Sequence, residues 1–124
     1  MKKSELTGAA LDWAVAKCID DSDIIFIGKK PYTWCDPTTS DEMRRVLFQP
    51  STNWAQGGPI IERLDGFHLK SWLESSPQTR CEARINNYEG NWVAFGPTPL
   101  VAAMRCYVAS KLGDEVEIPK ELTL

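Results

Sequence analysis

One histidine and four cysteines are the first residues to weigh for chemistry, and their spacing gives them little to share. Cys18, Cys35, Cys81 and Cys106 stand far apart, no C-x-x-C pair occurs, and His68 alone is available to complete a zinc set. Two readings follow. The thiols are reduced and pack as small hydrophobes, or Cys81 or His68, with a nearby carboxylate, serves a small hydrolase or transferase acting on nucleotide-like substrates. The carboxylates add no organised set. Asp20, Asp21 and Asp23 lack the glycine and glutamate positions of a calcium loop, which favours a solvated turn. Glu62, Asp65, Glu82 and Glu89 are scattered, with no H-x-E, G-x-S-x-G or H-E-x-x-H around them.

The segment Pro50-Ser-Thr-Asn-Trp-Ala-Gln-Gly-Gly-Pro-Ile-Ile-Glu-Arg63 is richer in binding chemistry. Gly57 and Gly58 permit a ligand or a second backbone to come close, Ser51, Thr52, Asn53 and Gln56 supply donors and acceptors, and Trp54 offers area with one polar handle. A pocket there competes with a purely helix-packing or kinking role for the glycines. Of the five tryptophans, Trp13, Trp34, Trp72 and Trp92 are expected in the core, and Trp54 is the exception. Neither the P-loop spacing nor G-x-G-x-x-G is present, so no cofactor or metal is expected.

Charge narrows the partners. With 14 Lys and Arg against 17 Asp and Glu the net charge is -3, so no basic field exists to neutralise the phosphates of a duplex. Asp12 interrupts the apolar stretch after Met1-Lys2-Lys3, so no secretory leader is expected. Nothing approaches the run of about 18 apolar residues that a membrane span needs. A cytoplasmic protein with reduced thiols is the expectation.

The elements that would position these groups can be placed from capping and period. Thr7 as N-cap, with Leu6 and Leu11 as a hydrophobic staple, starts a helix over 8–18 whose stripe is Leu11, Val15 and Cys18, with Asp12 and Lys17 off it. Ile24 to Ile27 reads as a short strand. From Lys29 to Pro50 the period is lost at Pro31, Asp36-Pro37 and Pro50, with one or two helical turns possible over Asp41 to Phe48. Ser51 or Thr52 would cap a helix kinked or restarted at Pro59. Alternation gives strands over Phe67 to Leu73, Cys81 to Ile85 and Asn91 to Phe95, the last two forming a hairpin, and Val116 to Ile118 could add a short extended piece. Thr98-Pro99 and Gly113 mark both ends of a helix over 99–112. The order predicts one α+β domain over 1–124, a mainly antiparallel sheet of three or four strands packed with N-terminal, central and C-terminal helices.

The last helix is apolar nearly all round. Ala102, Cys106 and Ala109, flanked by Arg105, lie opposite Leu100, Met104 and Tyr107, and small residues there would let another helix approach. That stripe predicts a homodimer interface, unless the first helix covers it within the monomer.

Three blocks, Ser4 to Lys17, Pro50 to Arg63 and Gly96 to Asp114, resemble in order the signature blocks of NinX-type proteins of tailed bacteriophages. They also look like a distant relative of a phage α-β-α sandwich domain. The resemblance implies a phage or prophage accessory protein made in the bacterial host's cytoplasm, and it names no catalytic residue. With no catalytic motif in the residues, the expected activity is non-catalytic binding, to a host protein or to a small polar metabolite such as a signalling nucleotide.

Overall fold

The computed structural model describes residues 2–19, 24–34, 45–72, 76–119 and 122. Three helices and six strands follow one another as α1 (Gly8–Cys18), β1 (Ile25–Ile27), β2 (Lys30–Trp34), β3 (Arg45–Leu47), α2 (Trp54–Glu62), β4 (Phe67–Ser71), β5 (Cys81–Asn87), β6 (Gly90–Gly96) and α3 (Pro99–Leu112). The class is α+β as the residue patterns predict. The strands divide differently: β1-β2-β3 and β4-β5-β6 are two separate three-stranded antiparallel sheets, so the strand at Ile25–Ile27 does not join the later ones.

The helix ends are set locally. Thr98 Oγ1 accepts from Val101 N at 3.1 Å, Pro99 occupies the first turn where its missing N–H is not needed, and Gly113 N donates to Ala109 O. Leu6 and Leu11 are both fully buried, as a staple requires, although the Thr7 side chain makes no capping bond. The central helix is capped by Asn53, whose Oδ1 accepts from Ala55 N at 2.9 Å, and not by Ser51 or Thr52. It then runs through Gly57, Gly58 and Pro59.

Pairing between distant segments decides the parts that period does not show. Gly28, at φ +67°, turns β1 into β2, and Pro31 sits within β2 with its carbonyl accepting from Phe48 N. Val46 pairs with Thr33, so Arg45–Leu47 is a strand and not the helical turn expected near Asp41 to Phe48; tertiary pairing overrides a weak local preference. Residues 41–44, the Asp20 to Asp23 turn and Cys35 lie outside the described residues. The β4 strand ends at Ser71, with one further bond from Trp72 N to Arg80 O. No strand forms over Val116 to Ile118; instead Glu115 bridges Lys2, and Lys3 N donates to Asp114 O.

The core is built around α3. Every residue from Leu100 to Ala109 is buried, because the helix packs against α1 on one side and β5 and β6 on another, with α2 and β4 also in contact. Ten consecutive buried positions explain why its apolar residues show no polar face. The stripe read as a homodimer interface is buried within the single chain. A Cβ added at Gly96 would lie 2.8 Å from Ala102 N, and the Cys106 thiol donates to Trp92 O at 3.4 Å. Arg105 donates from Nε to Leu6 O at 2.7 Å and from Nη1 to Phe95 O at 2.8 Å. Ala102, Arg105, Cys106 and Ala109 thus belong to the monomer's interior. The small side chains do admit a close neighbour, and that neighbour is β6 of the same chain.

Candidate functional site

The stretch from Ser51 to Gly58 is divided by the fold into residues that line a cleft and residues spent on structure. Gly57 is structural: a Cβ there would run into the Pro50 carbonyl and the Leu100 side chain, so this glycine is the point where α2 meets α3. Gly58 has open space beside it. Asn53 is spent on the helix cap, and Gln56 ties the preceding turn, its Oε1 accepting from Gln49 N and its Nε2 donating to Leu47 O at 3.2 Å. Ser51, Thr52 and Trp54 come together, with Thr98, Pro99, Leu100 and Val101, around a cleft of about 240 Å³. Trp54 is 55% exposed, the exception the sequence predicts, but Trp72 is also exposed, while Trp13 and Trp92 are partly buried against the core.

The group that organises this region is Asp12, which stands off the predicted apolar stripe of α1 and is nevertheless buried. It is 5% exposed, because the turn at Pro50–Thr52 folds over it, and its Oδ1 accepts from Ser51 N at 2.9 Å. Burial pushes the Asp12 carboxyl above its ordinary value, and the Ser51 backbone N–H and hydroxyl act in the opposite direction. The Ser51 hydroxyl itself lies near the carboxylate without meeting any partner in hydrogen-bond geometry, although it is fully buried. A buried hydroxyl left without a partner costs about 1–3 kcal/mol.

On the other side of Thr52, a second cleft of about 200 Å³ is lined by Asp12, Lys29, Lys30, Gln49 and the first residues of α1, Gly8 and Ala9. No acid lies in the first turn of α1, and neither lysine is ion-paired among the described residues. Thr52 therefore sits between a cleft with a carboxylate and two ammonium groups and a cleft walled by Trp54 and Leu100. Asp12, Lys29 and Lys30 went unrecognised in the sequence because nothing in their own neighbourhood announces the fold of 45–52 back onto α1.

The cysteine and histidine chemistry does not assemble. Cross-strand partners share a face, and His68 pairs with Arg84 while Cys81 pairs with Ser71, three positions away; Cys81, Ala83 and Ile85 point into the core. His68 is exposed on the opposite face, so the two cannot act as base and nucleophile. Burial pushes the Cys18 thiol up to about 12 and the Cys106 thiol up to about 11. Both remain protonated at neutral pH, so a thiolate-specific reagent at pH 7.5 should label the buried Cys106 only when denaturant opens the fold and the half-buried Cys18 slowly before that; equal labelling rates in native and denatured protein would contradict this. Among the described residues no three His, Cys, Asp or Glu side chains are grouped to hold a metal ion, and no helix is long and apolar enough to cross a membrane.

Fold and site together define an α+β protein with two small clefts around a buried Asp–Ser contact and no assembled catalytic set among the described residues. The family model described as Bacteriophage P22, NinX matches residues 2–111, most of the chain, and the chain belongs to that phage family. None of the curated proteins matches it significantly.

Proposed function

We propose that this phage accessory protein acts by non-catalytic binding, in the bacterial cytoplasm, of a small polar metabolite at the floor formed by Asp12, Ser51 and Thr52. The observation that carries the reading is the fully buried Ser51 hydroxyl, which meets no partner in hydrogen-bond geometry beside the buried Asp12 carboxylate. A ligand with a hydrogen-bond donor would satisfy these acceptors, and Lys29 and Lys30 favour one that also carries negative charge. A second reading, docking of a host protein, is supported by Trp54, whose half-exposed ring beside the cleft is of the type that anchors protein interfaces.

Two substitutions separate recognition from folding. Ser51→Ala removes a hydroxyl that meets no partner in hydrogen-bond geometry and should leave stability within about 0.5 kcal/mol of wild type, the remainder being the small favourable effect of the hydroxyl on the Asp12 carboxylate. The small-molecule fraction of a bacterial lysate should raise the wild-type melting temperature and leave the Ser51→Ala variant unmoved. An equal response from both would end the assignment. Asp12→Asn tests the carboxylate through pH. A carboxyl whose folded value lies above its unfolded value holds its proton more tightly in the folded state, so its ionisation costs stability as pH rises from about 4 through the folded value. Wild type should lose stability across that window, and Asp12→Asn, which keeps an oxygen for Ser51 N–H, should lose less. A steeper decline in the variant would contradict the account.

A further inference from the structure

A different group on the core helix lacks its chemical complement. Arg105 is 5% exposed, and no carboxylate among the described residues lies within ion-pair distance of its guanidinium. Two of its five N–H donors are used, on the carbonyls of Leu6 and Phe95, and these neutral acceptors do not balance its charge. Buried charges are ordinarily paired, and burial here pushes the Arg105 guanidinium below its usual range. Arg105 also lines a cavity of about 390 Å³ at the edge of β6, with Lys3, Ser4, Thr79, Val93 and Phe95 around it. Lys3 Nζ donates to Val93 O at 2.7 Å and is shared with Asp114 at 3.2 Å, an acid whose side chain is 80% exposed. Two cations therefore face this space against one solvated carboxylate.

We propose that this cavity binds the phosphate group of a small metabolite, held between Arg105 and Lys3. The lining supplies a guanidinium and an ammonium beside Ser4 and Thr79, the Thr79 hydroxyl being shared with Ser76 at 3.0 Å, and two cations suit the multiple negative charge of a phosphate. The remaining wall is apolar, and Phe95, 42% exposed, offers a face for the rest of the ligand. At about 390 Å³ the space lies within the roughly 300–1,000 Å³ usual for small-molecule sites, which neither cleft beside Thr52 reaches. The assignment is independent of the Asp12–Ser51 reading, since none of its residues is shared.

Inorganic phosphate is the probe, with sodium chloride at matched ionic strength as the control. Because Arg105 also ties Leu6 to β6, the deciding variant is Lys3→Met, which gives up one partly buried bond to Val93 O and the pair with exposed Asp114; its unliganded melting temperature is the reference for its own phosphate response. Phosphate should raise the wild-type melting temperature above the chloride control, with an apparent affinity at least tenfold weaker in Lys3→Met and unchanged in Ser51→Ala. No phosphate-specific rise in wild type, or an equal rise in Lys3→Met, would overturn the site. Loss of the response in Ser51→Ala with retention in Lys3→Met would place the anion in the other cleft and overturn it as well.

Discussion

Ala109→Glu should abolish cooperative folding, or lower the melting temperature by at least about 10 °C, and should not yield a folded monomer. Ala109 is 2% exposed and lies on the stripe with Ala102 and Cys106 that packs on β6. A carboxylate placed there enters the packed interior of the chain, where its desolvation is the dominant cost. An uncompensated buried charge costs about 3–5 kcal/mol, a large share of the 5–15 kcal/mol or so that holds a domain together. A subunit interface at this stripe makes the opposite forecast, a stable monomer of half the native mass. Light scattering and thermal melting of the variant distinguish them, and a well-folded Ala109→Glu protein would contradict the packing of α3 described above.

The paired glycines should respond in opposite directions. Gly57→Ala forces a methyl into the Pro50 carbonyl and Leu100, backbone and core together, and should destabilise by about 1–3 kcal/mol. Gly58→Ala adds a methyl to open space inside a helix and should stabilise by about 0.5–1 kcal/mol, because alanine loses less backbone freedom. Denaturant titration of the two variants measures both. Equal destabilisation would mean that the two glycines are used alike, as a ligand approach would require, and that α2 does not meet α3 at Gly57.

These contrasts show where local chemistry suffices. The ends of α1 and α3 are legible because Leu6 with Leu11, Thr98 with Pro99, and Gly113 act within a few residues of the helix they bound. The β5–β6 hairpin is legible for the same reason. The β2–β3 pairing is not, because Pro31 reads as a breaker until Phe48 is brought to its carbonyl, and Val46 acquires its strand only from Thr33. The candidate site suffers likewise. Ser51, Thr52 and Trp54 are marked by their own composition, whereas Asp12, 39 residues from Ser51, looks like a solvent residue until the chain closes on it. Arg105 looked like the flank of an interface because its two carbonyl partners come from Leu6 and Phe95, positions no periodicity connects to it.

Native mass spectrometry of the protein purified without denaturation from a bacterial host tests most directly whether the Asp12–Ser51 floor exists to hold a ligand. The predicted spectrum contains, beside the bare chain of 13.9 kDa, a species heavier by one small molecule, which disappears in Ser51→Ala while the variant remains folded. A wild-type spectrum with the bare mass alone after mild isolation and incubation with host metabolites, or an adduct that persists undiminished in Ser51→Ala, would contradict it.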